Sequence, residues 1–235
     1  MTPHPTQHEI PHQPYEKLIH NPIQQLLLIV PLLLIYHIGT LIYADTLAVP
    51  YHFKLLFASW HAPMAFLPSL LIVTTLIFQH ALRRDRFCYS IGIQLGMILE
   101  GATLWLPLLP VLWVTSQFTA ATTPPTPVFI TNCINYIGAS VYEEFLFRAV
   151  LMSLLGLLLI DVLHVKKLHA QGTALLLSTF LFARAHFEPF STKPFDEVYF
   201  LFLLVAGIWF GVIYLWRGLG VAIATHMIWN LVVAL

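Results

Sequence analysis

Charge is what this sequence has least of. Only 9% of its 235 residues are Asp, Glu, Lys or Arg, against about a quarter in ordinary soluble domains, and that shortage excludes a soluble globular fold. The 11 basic and 11 acidic residues cancel, so nothing argues for a nucleic-acid partner. Cysteine is nearly absent: Cys88 and Cys133 are the only two, and the topology below sets them near opposite faces of a bilayer, too far apart to bridge. No Cys or Cys/His cluster has zinc-finger spacing, and no His-Glu-x-x-His motif occurs. The N-terminal residues lack a basic region followed by a short apolar core and a small-residue cleavage site, so no removable signal peptide is expected. Neither an internal repeat nor a second domain is visible, which counts against an inverted-repeat transporter.

What the chain has instead is apolar length. It is 58% hydrophobic, with several runs longer than the ~20 residues that cross the hydrocarbon core, so the expected fold is all-α: a polytopic transmembrane helical bundle. Residues 1–20 read as an N-terminal cytoplasmic tail, in which His4, His8, His12 and His20 are spaced as on a metal-binding helix that Pro3, Pro5, Pro11 and Pro14 oppose. Residues 21–235 read as a single transmembrane domain of about seven spans, near 21–43, 55–80, 87–116, 130–160, 172–186, 198–216 and from there to the C-terminus. Eight spans result if the fourth is really two. His61, Pro63 and Pro68 imply a kink in the second span, and the excess length of the fourth, with its polar start at Thr131, Asn132 and Asn135, implies a tilt or a re-entrant lead-in. Arg83, Arg84 and Arg86 are the densest basic cluster; the positive-inside rule places them, and the N-terminus, in the cytoplasm.

Within this apolar chain, Ser140-Val141-Tyr142-Glu143-Glu144-Phe145-Leu146-Phe147-Arg148 sets two carboxylates and a guanidinium inside one span. Ionised groups at membrane depth cost several kcal/mol by most estimates and mark functional candidates. Glu144 and Arg148 stand four apart in the favourable order for an ion pair. Glu143, about 100° around the helix, is left to meet something from another helix. His186 ends the fifth span, and His226 and Asn230, four apart, share one face of the seventh. A carboxylate, two imidazoles and a carboxamide are the parts needed to add water to an amide: a general base, a group to orient water and pass on a proton, and donors for the oxyanion.

Glu-Glu-x-x-x-Arg at 143–148, Phe-x-x-x-His at 182–186 and His-x-x-x-Asn at 226–230, in that order on successive spans, resemble the CPBP (CAAX protease and bacteriocin-processing, or Abi) intramembrane endopeptidases. The resemblance covers roughly residues 138–235, within a catalytic core at about 130–235. It implies that Glu143 is the general base, that His186 helps activate the water, that His226 and Asn230 form the oxyanion site, and that Glu144 and Arg148 support them, with Arg148 orienting the acidic pair. The implied chemistry is metal-free, with zinc held by Glu143, His186 and His226 as the alternative. The implied partners are a membrane-anchored peptide or protein substrate and the lipid bilayer, in a prokaryotic inner or plasma membrane.

The remaining charges have plainer readings: Glu100 as a neutral, hydrogen-bonded helix contact, with lining of the cavity as the alternative, and Arg184 paired with Glu188 four residues on, near the outer surface, or else reaching a substrate carboxylate. One difficulty is visible in advance. His186 lies near the external end of its span, whereas His226 stands only about 12 Å from the cytoplasmic start of its own, so straight full-length helices would not align them. The competing functions are a non-catalytic membrane binding or immunity protein of the same fold, and a proton-coupled carrier using Glu100 and Glu143.

Overall fold

The computed structural model describes residues 14–43, 66–85, 87, 89–116, 129–191 and 193–233. The expectations on His4, His8 and His12, on the first half of the second span with His61 and Pro63, on Arg86 and Cys88, and on the loop at 117–127 lie outside the described residues. The described chain is helical. A short α1 (Tyr15–Ile19) precedes α2 (Pro22–Ile42) and α3 (Leu67–Arg83); α4 (Ile91–Leu104) runs through a 3-10 turn, Leu106–Leu108, into α5 (Leu109–Ser116). A long segment follows: α6 (Phe129–Glu144), a π-helical stretch Phe145–Met152, α7 (Ser153–Leu157) and a second π stretch Leu158–Val162. Then come α8 (Lys167–Ala185), α9 (Glu197–Arg217) and α10 (Leu219–Val233).

Local chemistry explains most boundaries. Asn21 caps α2 by accepting from the Ile23 N–H at 2.9 Å, with Pro22 at the first helical position. Asp196 caps α9 in the same way, through the Tyr199 N–H at 2.7 Å. Pro68 lies in the first turn of α3, where a missing N–H costs nothing, so it starts that helix and does not kink it. Gly218, at φ 84°, turns the chain between α9 and α10 within one residue.

Four helical segments are long and apolar enough to cross a membrane: Pro22–Ile42, Ile91–Thr115, Phe129–Val162 and Glu197–Arg217; Leu67–Arg83 and Leu219–Val233 are shorter apolar helices. With α8 these make seven long segments. The outward surfaces carry large apolar side chains such as Leu34, Leu41, Phe78, Leu99 and Leu201, while Glu143, Glu144, Arg148, Arg217 and His226 are buried. That inversion of the soluble pattern is what a hydrocarbon solvent selects. The fourth expected span is one continuous 34-residue segment, about 50 Å at the α-helical rise, longer than a ~30 Å hydrocarbon layer. The fifth span begins at Lys167 in place of Gly172.

Three apolar clusters fill the spaces between helices. One joins α2, α3, α6 and α10 around Tyr36, Ile72, Tyr142 and Ile223. A second joins α8, α9 and Trp229 around Phe147, Phe182 and Phe210. The third packs α1, the start of α2 and α4 on the start of α10 through Ile19, Met97 and Val221. Close approach is decided by small residues. A Cβ at Gly138 of α6 would overlap the Tyr36 ring of α2, which is itself edge-on to Tyr142 at 5.3 Å. The same helices are tied through α3 by a partly buried hydrogen-bond chain, His37 Nε2 to Ser69 Oγ at 2.6 Å and Ser69 Oγ to Tyr142 Oη at 2.7 Å.

Gly138→Val is therefore expected to lower stability by about 1–3 kcal/mol through overpacking. Gly156→Ala, where nothing lies within 4 Å of the added carbon, should be neutral or gain about 0.5–1 kcal/mol. Unfolding midpoints of the two purified variants in detergent check both.

Candidate active site

Glu143 and Glu144 close the α-helical part of the long segment, directly before the π stretch that contains Arg148. A π turn shifts the phase of the residues that follow it and is frequent at functional positions. Arg148 nevertheless reaches its expected partner, Nε to Glu144 Oε2 at 3.3 Å, and donates from Nη2 to the Gly207 carbonyl of α9 at 3.2 Å. Its guanidinium lies over the Phe182 ring, 4.4 Å from the centroid. Glu144 has a second partner that sequence spacing did not suggest: its Oε1 accepts from His226 Nδ1 at 2.8 Å. Arg148 thus acts on Glu144, and Glu144 in turn on His226; the acidic pair does not share one cation.

The two imidazoles reach Glu143 from different helices. His186 follows the last residue of α8, and its Nδ1 donates to the Phe182 carbonyl at 2.9 Å. A carbonyl only accepts, so this bond places a proton on Nδ1 and turns Nε2 toward Glu143 Oε2, 3.8 Å away. His226 projects from α10 with Nε2 at 3.9 Å from the same oxygen, its ring stacked on Phe210 at 4.5 Å. Asn230, one turn further along α10, donates to Ser140 Oγ at 3.1 Å, and Ser140 donates to the Tyr136 carbonyl at 2.7 Å. Glu143, His186 and His226 therefore meet at one carboxylate oxygen, with Asn230 held against α6 one turn before the acids.

The anticipated misalignment of the imidazoles does not arise, because α10 is short and starts inside the bundle. α10 has 15 residues, about 22 Å, and its start, Leu219 through Thr225, is entirely buried. The helix is sunk into the bundle. Burial is graded around the group: the side chain of Glu144 is fully buried, those of His226 and Glu143 are 5% and 9% exposed, and that of His186 is 20% exposed.

Other expectations resolve away from this point. Glu100 is a structural contact, but an ion pair in place of the neutral one expected: its carboxylate accepts from Arg217 Nε at 3.1 Å and from Arg217 Nη2, with Glu16 of α1 at 3.7 Å from the same guanidinium. Arg184 donates to the Phe187 carbonyl at 3.3 Å and lies over the Phe190 ring, in place of the expected pair with Glu188. Trp209 donates to the Leu104 carbonyl at 2.6 Å and packs the bundle, while Trp113 and Trp216 are exposed on its surface. Ser140, Gly207 and Phe210 have roles that were not foreseen. Ser140 was accessible to periodicity, three and four residues before the acids; Gly207 and Phe210 make one face of α9 but carry no chemical signature.

A helical membrane bundle that gathers a carboxylate and two imidazoles has the composition of a membrane hydrolase. Residues 124–232 match the family model described as type II CAAX prenyl endopeptidase Rce1-like, in agreement with the CPBP resemblance of the three motifs, and the general class is that of a membrane protease. No curated protein and no solved structure matches the chain.

Glu144→Gln should unfold at lower temperature, with a loss of about 3–5 kcal/mol, because it strips a buried guanidinium of its counter-charge. Adding Arg148→Met to it should restore part of that loss. Thermal or denaturant unfolding of the single and double variants in detergent measures both effects.

Proposed function

We propose that the chain is an intramembrane endopeptidase that hydrolyses a peptide bond of a membrane-associated peptide or protein, with Glu143 as general base. One observation carries the reading: the Glu143 carboxylate has an imidazole Nε2 on either side, at 3.8 and 3.9 Å, within a largely apolar helical bundle. A water bound there gives a proton to Glu143 while its oxygen attacks the scissile carbonyl carbon. His186, protonated on Nδ1, offers an Nε2 lone pair that orients this water and then relays the proton to the leaving nitrogen as the C–N bond breaks.

The oxyanion needs donors. His226 supplies one from Nε2 only as an imidazolium, and the Glu144 carboxylate on Nδ1 provides the balancing charge; the Asn230 amide supplies the other. Each such donor is commonly worth ~3 kcal/mol in the transition state. Glu144 and Arg148 are positioning residues in this scheme.

Zinc held by Glu143, His186 and His226 is the alternative. With bonds of about 2.0–2.1 Å, a tetrahedral site would bring its donors to about 3.3 Å of one another. The separations of 3.8 and 3.9 Å are wider, and among the described residues no three His, Cys, Asp or Glu are grouped as metal ligands. The steps above use only the chain's own residues. The substrate class is a membrane-anchored peptide or protein; a prenylated C-terminal peptide is the version that the family description names, and peptide maturation or removal of a sorting tail are others. The setting is a prokaryotic inner or plasma membrane with the N-terminus in the cytoplasm. The rival reading, a binding or immunity protein, needs the polar groups to stand apart, and their approach favours the hydrolase.

In reconstituted protein presented with a panel of membrane-anchored peptides, Glu143→Gln and His186→Ala should each lower kcat/KM by about 10²–10⁴-fold. Glu100→Gln should retain cleavage. Unchanged turnover in Glu143→Gln rejects the assignment. Insensitivity to 1,10-phenanthroline is expected, and loss of activity that zinc restores would establish the metal-dependent alternative.

A further inference from the structure

The bundle has a polar concavity that none of the chemistry above uses. A cavity of about 270 Å³ opens between the start of α2, the end of α3, the π segment and the α9–α10 turn, with His20, Gln25, Gln79, Arg83 and Tyr214 on its walls. Phe145 and Leu219 contribute to an apolar floor. Along the long segment it runs from Phe145, next to Glu144, to Ser153, and none of Glu143, His186, His226 and Asn230 lines it. Its size lies just below the ~300–1,000 Å³ of ordinary small-molecule sites.

The chemistry of its walls selects one sign of charge. Among the described residues no Asp or Glu lines the cavity, whereas Arg83, Gln25 and Gln79 bring N–H donors. Arg83 spends one N–H on the His20 carbonyl, 3.0 Å from Nη1, which fixes the guanidinium at the rim and leaves its other N–H groups to a ligand. Gln25 is anchored by a 3.0 Å bond from Nε2 to the Ile19 carbonyl, and His20 by contact of Nε2 with the Trp216 carbonyl at 3.2 Å. Gly218 keeps the wall open: a Cβ there would meet Gln25 Nε2 and His20 Nδ1, each at 3.0 Å. Arg83, Gln25 and His20 are thus held in place by bonds to the backbone before any ligand arrives.

From this we propose that the cavity is a binding site for a phosphate group. Its position at a helix-end level of a membrane bundle, with an apolar floor beneath a basic rim, matches a phospholipid headgroup, since basic pockets between transmembrane helices hold anionic headgroups in this way. Inorganic phosphate would satisfy the same donors without using the floor. The proposal does not depend on the protease reading.

The full chain, purified in a maltoside detergent that contains no phosphate, provides the test. Its unfolding midpoint is followed against phosphatidylglycerol, against diacylglycerol with the same acyl chains, and against sodium phosphate. Phosphatidylglycerol should raise the midpoint saturably and diacylglycerol should not. Arg83→Gln and Gln79→Leu should each weaken the response about tenfold in half-saturating concentration. Arg84→Gln, one residue on but outside the cavity wall, should respond as the wild type does. A shift with sodium phosphate that removes any further effect of phosphatidylglycerol identifies free phosphate as the source; a shift with the lipid alone identifies the headgroup. The proposal is overturned by an equal response to diacylglycerol, by no response to either phosphate source, by a wild-type response in both cavity variants, or by an Arg84→Gln defect as large as that of Arg83→Gln.

Discussion

A carboxylate that never meets solvent holds the candidate site together. The side chain of Glu144 is fully buried, and an unpaired charge in that position would cost several kcal/mol. The structure offsets the cost with a guanidinium at 3.3 Å and an imidazole N–H at 2.8 Å. Each of these partners is itself fixed. Arg148 is clamped by the Gly207 carbonyl and the Phe182 ring, and His226 lies flat on Phe210. One network therefore joins α6, its π extension, α8, α9 and α10. It also aims His226 Nε2 at Glu143, the more exposed of the two acids.

The bilayer as solvent explains why the arrangement has this form. With hydrocarbon outside, polar groups can be satisfied only inside the bundle. Two groups of them are tied by ion pairs. One comprises the acids and imidazoles. The other is Glu100 with the buried Arg217, where the exposed Glu16 ties α1 to the α9–α10 turn, beside the basic-rimmed cavity. Small residues let the helices come close enough for side chains to meet across them: Gly138 against Tyr36, and Gly207 against Thr179 and Phe182. Phe182 serves three neighbours at once, as the carbonyl that orients His186, the ring beneath Arg148 and a member of the apolar cluster.

What could be read from the chain was what leaves a one-dimensional trace. Apolar runs give helices and a membrane, because backbone groups in hydrocarbon have no other partner. Spacing of four gives Glu144 with Arg148, and His226 with Asn230, because 3.6 residues per turn puts them on one face. Charges in apolar runs mark the candidate residues, because their burial needs a reason. Tertiary structure alone decided that Glu144 belongs to His226 as well as to Arg148, that a π stretch carries Arg148, and that a short, sunken α10 brings His226 level with His186. It also decided that Glu100 answers to Arg217 and that Arg184 turns to a carbonyl in place of Glu188. These outcomes depend on how far one helix slides along another and which carbonyls it meets there, and sequence period constrains rotation about an axis, not displacement along it.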